Sequence, residues 1–209
     1  MKLYYCETIA SRKTCALANH VGSDAERVFL NIGTGEHKTP EFLAINPNGK
    51  LPALVDGDYS LWESTAIMAY LARKAGTDLW PSDLDRQIEV LRWLNWDAQH
   101  YSHWTGTLYF EHLIKPLFNI GPPDTALVEE ATGYFRQFSA VLNDHLKGRK
   151  FLLGDKPTIA DFALAVSFPY AEGAQIPLAE FPELVRFHHR MNELPGWREP
   201  FPERTEAAA

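Results

Sequence analysis

Along the first 76 residues the apolar positions keep changing period. Lys2–Tyr5 is a short β-rich run. From about Ser11 to Val21, Cys15, Leu17, Ala18 and Val21 recur at helical spacing, and Gly22 ends the segment. Val28–Ile32 predicts a second strand. Leu54-Val55 and Tyr59–Trp62 flank Asp56-Gly57-Asp58, and an Asp-Gly step between two apolar runs closes a hairpin. Ser64 then caps a helix with Ile67, Tyr70 and Leu71 on one face. The order β-α-β, loop, β-β-α predicts an α/β unit with a mixed sheet.

Gly76–Asp83 is polar and rich in turn residues, and beyond it strand signals vanish. Leu84, Ile88, Leu91 and Leu94 open a long helix. Leu127, Ala131, Phe135, Phe138 and Leu142 mark another, and Thr158–Tyr170 and Phe181–Leu194 two more. The pattern predicts an α/β domain over 1–77 and an all-α domain over 84–203. The tail after Trp197, ending in 203–209, is expected to fray.

Composition narrows the function classes. The 209 residues carry a formal net charge of −7, so nothing draws the chain generally to a phosphate backbone, and nucleic acid is not an expected partner. No apolar run approaches the eighteen or so residues of a membrane helix, and Met1–Glu7 does not read as a signal peptide. The expected location is the cytoplasm, with no membrane partner. Two cysteines, Cys6 and Cys15, do not make a disulfide scaffold. The close histidine pairs, His100/His103 and His188-His189, lack the neighbours of a zinc site, so no metal is expected.

The most informative segment is Asn46-Pro47-Asn48-Gly49-Lys50-Leu51-Pro52-Ala53-Leu54-Val55. Asn-Pro and Asn-Gly mark tight turns. Pro52, which has no N–H, suits the start of a strand. A cis bond before it would turn the Leu51 backbone outward, able to pair with an extended peptide ligand. Downstream, Trp62-Glu63-Ser64-Thr65 sets an acid and a hydroxyl at the mouth of a helix. A ligand carboxylate is stabilised at a helix start, and Glu63 can pair with a ligand ammonium. Together these match the head of an α-amino acid.

With Gly154-Asp155-Lys156-Pro157-Thr158-Ile159-Ala160-Asp161, these segments resemble the cytosolic glutathione transferases, in family order and spacing over nearly the whole chain. The third segment is a folding element, in which Thr158 caps a helix and Asp161 reaches back to the Thr158 N–H. The finer resemblance is to bacterial serine- or threonine-type members of theta, phi or nu character. It implies a thioredoxin-like first domain with a four-stranded mixed sheet. It also implies that Leu51, before cis-Pro52, pairs with the cysteinyl part of glutathione, while Glu63 and Ser64 hold the γ-glutamyl head. His37 and Lys38, with Lys50, would attract the glycyl carboxylate.

The implied chemistry needs no cofactor, because glutathione is itself the substrate. Lowering a thiol pKa by about two units from about 8.5 takes about 2.7 kcal/mol. One hydrogen bond to a charged group supplies about 1.5–3 kcal/mol. A single hydroxyl near a helix start is therefore enough. The family keeps that hydroxyl in the loop between the first strand and first helix, here Cys6–Lys13. Counting back four residues from Arg12 points to Thr8. Ser11, at the expected helix start, competes as a catalytic hydroxyl or a plain N-cap, and a cysteine-based thiol transfer through Cys6 is a further alternative.

Leu91–Trp104 carries Trp93, Trp96, His100 and Trp104 near one side of a helix. In the family this helix faces the sulfur, so Tyr101 and Trp104 are the candidates to line a pocket for a small apolar electrophile. The expected activity is attack of glutathione thiolate on that electrophile. The alternatives are a glutathione-dependent disulfide reductase or peroxidase, and a non-catalytic transferase-like binding module. The resemblance also implies a homodimer.

Overall fold

The computed structural model describes residues 1–203, so the expected fraying of 204–209 lies outside the described residues. Its contacts form two compact units: Met1–Trp80 together with residues 194–203, and Pro81–Glu193. The expected second domain, 84–203, thus gives up its last ten residues to the first unit. Among the described residues no helix is long and apolar enough to cross a membrane.

In the first unit, β1 (Lys2–Tyr5), α1 (Ile9–His20) and β2 (Glu26–Phe29) form a β-α-β crossover. After α2 (Pro40–Ile45) come the hairpin strands β3 (Ala53–Asp56) and β4 (Tyr59–Trp62), then α3 (Ser64–Lys74). The sheet order is β2-β1-β3-β4. β1 and β2 are parallel, and the other two pairings are antiparallel. This is the expected four-stranded mixed sheet of a thioredoxin-like domain. Leu3, Leu54, Leu17 and Ile67, from β1, β3, α1 and α3, are fully buried in its core.

β2 stops short of the expected Ile32. The Leu30 N–H still reaches the Tyr5 carbonyl, but the Asn31 N–H turns to the Glu36 carboxylate and the chain leaves the sheet. The tail returns to this unit through a contact with no local sequence signal. Arg12 Nη2 donates to the Trp197 carbonyl at 2.6 Å, with its guanidinium 5.3 Å from the Trp197 ring centroid. Phe201 stacks on Tyr5.

The second unit is helical: α4 (Leu84–Trp96), α5 (Ser102–Tyr109), the single turn α6 (Lys115–Leu117), α7 (Thr125–Leu146), α8 (Ile159–Leu164) and α9 (Pro182–Met191). Wide i→i+5 turns at Asp97–Tyr101 and Phe110–Ile114 interrupt what reads in sequence as continuous helix. The expected helix to Tyr170 is α at its start and tightens to 3₁₀ over Ala165–Tyr170, where Pro169 removes a backbone donor.

The start of α8 is held as its sequence requires. Asp161 accepts from the Thr158 N–H (2.7 Å), the Thr158 hydroxyl (3.0 Å) and the Leu152 N–H (2.8 Å), all without solvent. Burial outweighs these donors and pushes the carboxyl up to about 6. The folded state therefore holds this proton more tightly than the unfolded chain does. The resulting stabilisation is full below about pH 4 and is lost as the pH rises through about 6. Asp161→Ala is expected to destabilise the protein by about 3 kcal/mol. Urea denaturation should show a larger gap between wild type and variant at pH 4.5 than at pH 7.

Candidate functional site

The register of the sheet decides what meets at its end. Ala53 lies opposite Tyr4 on β1 and opposite Trp62 on β4. Pro52 thus continues beside Tyr5 and Glu63, and the loops after β1, after β4 and before β3 leave from one edge. The carboxyl end of β2 is there too, since Tyr5 pairs with Phe29. Brought to this edge of the first unit are Thr8, Leu51-Pro52 and Glu63-Ser64.

The Leu51-Pro52 bond is cis. Among the described residues neither the N–H nor the C=O of Leu51 has a hydrogen-bond partner, so a strand-like edge is open there. The loop before it is organised by Asn46. Its Nδ2 donates to the Lys50 carbonyl (2.7 Å), and its Oδ1 accepts from the Asn48 N–H and Nδ2. An Asn that bridges its own turn in this way leaves a signal in the Asn-Pro-Asn-Gly string, once side-chain bonds are considered.

His37 and Lys38 lie in a short 3₁₀ turn packed against that loop. Lys38 Nζ is 3.4 Å from the Asn48 carbonyl. Gly49 has φ 57°, and a Cβ there would fall 2.7 Å from Lys38 Nζ and 3.0 Å from the His37 carbonyl. Only glycine permits this approach. Nδ1 of His37 is buried with no partner in the described structure. The two basic residues are thereby brought beside Lys50, whose side chain is exposed.

Glu63 and Ser64 correct one detail. Ser64 is the first residue of α3, not its cap; the cap position is Glu63, at φ 72° and ψ 115°. A non-glycine residue there costs on the order of 1–3 kcal/mol and persists where the surroundings hold it. Its carboxylate is exposed and forms no ion pair among the described residues.

The start of α1 separates the two candidate hydroxyls. Thr8 is the N-cap, half-buried, and its hydroxyl makes no bond to its own helix. Its one contact is Cys6 Sγ, at 3.5 Å. Ser11 lies a turn into the helix, fully buried, and its Oγ accepts from the Cys6 N–H at 3.4 Å. The expectation of Ser11 as an N-cap is therefore corrected: the helix begins two residues earlier and turns Ser11 inward.

Cysteine chemistry is disfavoured on the same grounds. Cys6 is 4% exposed, and burial raises its thiol pKa against the hydrogen bonds from Thr8 and Ser11. Burial pushes Cys15 up to about 12. Both stay protonated near neutral pH, and the thiol is the unreactive form.

In the helical unit, Tyr101 does not line a pocket. It is 1% exposed, packs on Phe135 and Phe168, and its hydroxyl pairs with Ser139 at 3.2 Å. The wide turn at Asp97–Tyr101 adds a residue, which shifts the helical face by about 100° and carries Tyr101 into the core. Trp104 remains partly exposed, stacked on Tyr134 at 4.3 Å. Among the described residues no group of three His, Cys, Asp or Glu could hold a metal ion.

A thioredoxin-like domain with an open peptide edge, followed by an all-helical unit, defines a two-domain class of thiol-peptide enzymes. Residues 1–73 match the family described as glutathione S-transferase, N-terminal domain, and residues 107–195 match its C-terminal domain. Glutathione S-transferase 3 of Zea mays is 40% identical over 153 residues, 71% of this chain and 68% of that protein. The crystal structure of glutathione transferase F7 from Populus trichocarpa superposes with a TM-score of 0.87 at 26% identity, covering 95% of this chain and 96% of that one. A glutathione transferase family member from Pseudomonas fluorescens, solved with two glutathione bound, gives 0.83 at 26% identity over 95% and 91%. The chain belongs to the glutathione S-transferase family and is an enzyme of that kind, with glutathione as substrate.

Glycine is free at the backbone angles of Glu63, whereas alanine is not. Glu63→Gly is expected to be more stable than Glu63→Ala by about 1–2 kcal/mol. Matched urea midpoints for the two variants would show that the angle carries no cost.

Proposed function

We propose that the first unit binds glutathione extended along its sheet end and that Thr8 donates a hydrogen bond to the glutathione sulfur. The thiolate so stabilised attacks a small apolar electrophile. The observation that carries this reading is a convergence at one sheet edge. The unpaired Leu51 backbone, the free Glu63 carboxylate beside the start of α3, and the Thr8 hydroxyl at the start of α1, held only by Cys6 Sγ, all occur there. Leu51 before cis-Pro52 takes the cysteinyl peptide unit. Glu63 takes the γ-glutamyl ammonium, and Ser64 with the first N–H groups of α3 takes its carboxylate. His37, Lys38 and Lys50 attract the glycyl carboxylate.

Catalysis is then electrostatic stabilisation of the thiolate together with proximity, with no cofactor involved. The apolar co-substrate is taken by the aromatic face of the helical unit that carries Trp104. Within the family, the plant phi type is the class that the maize and poplar relatives support. Bacterial origin and theta or nu character have no such support. A cytoplasmic location fits this reading.

The homodimer expected from the resemblance is supported by an unpartnered apolar stripe. Leu84, Ile88 and Leu91 on α4 follow i, i+4, i+7 spacing and are 72%, 61% and 45% exposed. In the first unit Tyr59 and Trp62 are also exposed on β4. Patches of this kind mark association surfaces.

Thr8→Ala removes the donor to the thiolate, so the sulfur pKa rises toward its free value of about 8.5. Conjugation of a chlorinated nitroarene at pH 6.5 is expected to fall by about 10- to 100-fold in kcat/KM, with Thr8→Ser retaining most of the activity. An unchanged rate and pH profile in Thr8→Ala would remove Thr8 from the mechanism. Separately, sedimentation velocity at low micromolar concentration is expected to give twice the chain mass for wild type and the chain mass for Ile88→Glu.

A further inference from the structure

One cavity lies wholly within the helical unit and has no part in the glutathione chemistry above. It is an open cleft of about 310 Å³ between Arg86, Glu89 and Arg92 of α4, His145 near the end of α7, and Arg149 with Leu152 beyond it. In a chain of net charge −7, this lining carries three arginines and one carboxylate.

The single carboxylate is committed, since Glu89 is ion-paired with Arg92. Arg92 also lies over the Trp93 ring, 5.5 Å from its centroid. Arg149 has no carboxylate partner among the described residues; its Nη1 donates to the His145 carbonyl. His145 Nε2 donates to the Leu152 carbonyl at 2.8 Å, which leaves Nδ1 as the nitrogen that titrates. Burial lowers the His145 pKa, the Leu152 carbonyl opposes this, Arg149 and Arg92 add to it, and Glu89 opposes it. Arg149 thus brings a charge without a carboxylate partner beside His145, and a bound anion would relieve it.

We propose that this cavity is a binding site for a small anion of the phosphate or sulfate type, held by the Arg149 and Arg92 guanidinium groups. Planar guanidinium forks match tetrahedral oxyanions in paired hydrogen bonds. The volume is at the lower end of small-ligand pockets, and Leu152 with the His145 ring gives it an apolar wall. The His145 ring is backed in turn by Trp93, at 4.4 Å between centroids. The anion can be a free ion or the head of an organic ester, since both present the same oxygens.

The charged groups facing His145 are Arg86, Glu89 and Arg92 from α4 and Arg149 from the segment after α7. An anion among them favours the protonated ring, so the His145 pKa is higher in the complex than in the free protein. The test uses the full chain at low salt with saturating glutathione present. Inorganic phosphate and phenyl phosphate are titrated in parallel, with calorimetry for affinity and the His145 ring proton followed by NMR against pH.

Saturable binding with an upward shift of the His145 pKa is expected. Arg149→Gln should weaken binding at least about tenfold and leave conjugation unchanged. Arg92→Gln should weaken it as well. Tighter binding of phenyl phosphate assigns the cavity to an ester-borne head, and equal affinities assign it to the free ion; either supports the site. The proposal is overturned if neither ligand gives a saturable response, if Arg149→Gln binds as wild type does, or if glutathione competes.

Discussion

The placement of Ala53 is the constraint on which the site depends. One residue on β3 sits opposite Tyr4 of β1 and Trp62 of β4 at once. Side chains on a strand alternate faces, so a slip of one residue would invert the packing of β3 and expose Leu54, which is fully buried. The core therefore locks the register. The locked register in turn brings the Thr8 loop, the Leu51-Pro52 edge and the Glu63 turn to the same end of the sheet. None of the three is close to the others in sequence. Their meeting follows from the burial of a few apolar side chains in the β-α-β and hairpin halves.

The elements set by local rules were legible in the sequence. The Asp56-Gly57-Asp58 hairpin, the Leu51-Pro52 strand start and the Thr158/Asp161 cap depend on residues within a few positions of each other. What was not legible depends on partners far along the chain or on a change of helical pitch. The pairing of Arg12 with Trp197 spans 185 positions. Tyr101 reads as part of an aromatic face on an unbroken helix, and only the wide turn before Ser102 turns it into the core. Ser11 reads as a cap because serine favours that place. The actual cap is Thr8, since Ser11 is drawn inward by the Cys6 N–H.

The Cys6–Thr8–Ser11 cluster shows how the start of α1 is divided between folding and chemistry. Ser11 and the Cys6 backbone satisfy each other inside the protein, so neither polar group is buried unpaired. That leaves Thr8 free of structural duty except for its contact with the Cys6 sulfur. A cap residue that does not cap its own helix gives up about 1 kcal/mol of helix stability. The positive end of the helix and the hydroxyl are then both available to an incoming charge. Stabilising a thiolate by about 2.7 kcal/mol is a larger quantity, so the forgone cap energy covers only part of it and the hydrogen bond to the charged sulfur must supply the rest.

Charge is handled locally in both units, and this reconciles an acidic chain with the anionic ligands proposed for it. The net charge of −7 opposes long-range attraction of any anion. Screening confines that repulsion to about 8–10 Å at ordinary ionic strength. Inside that distance only the nearest groups matter. At the sheet end these are His37, Lys38 and Lys50, together with the exposed N–H groups of α3. In the helical unit the charge without a carboxylate partner is that of Arg149, because Arg92 and Glu89 neutralise each other. Each of the two proposed sites thus offers basic groups at short range in a chain of negative net charge. Such a molecule discriminates by contact geometry rather than by steering, and a single side chain such as Arg149, which lacks a counter-charge, can control occupancy without altering the fold.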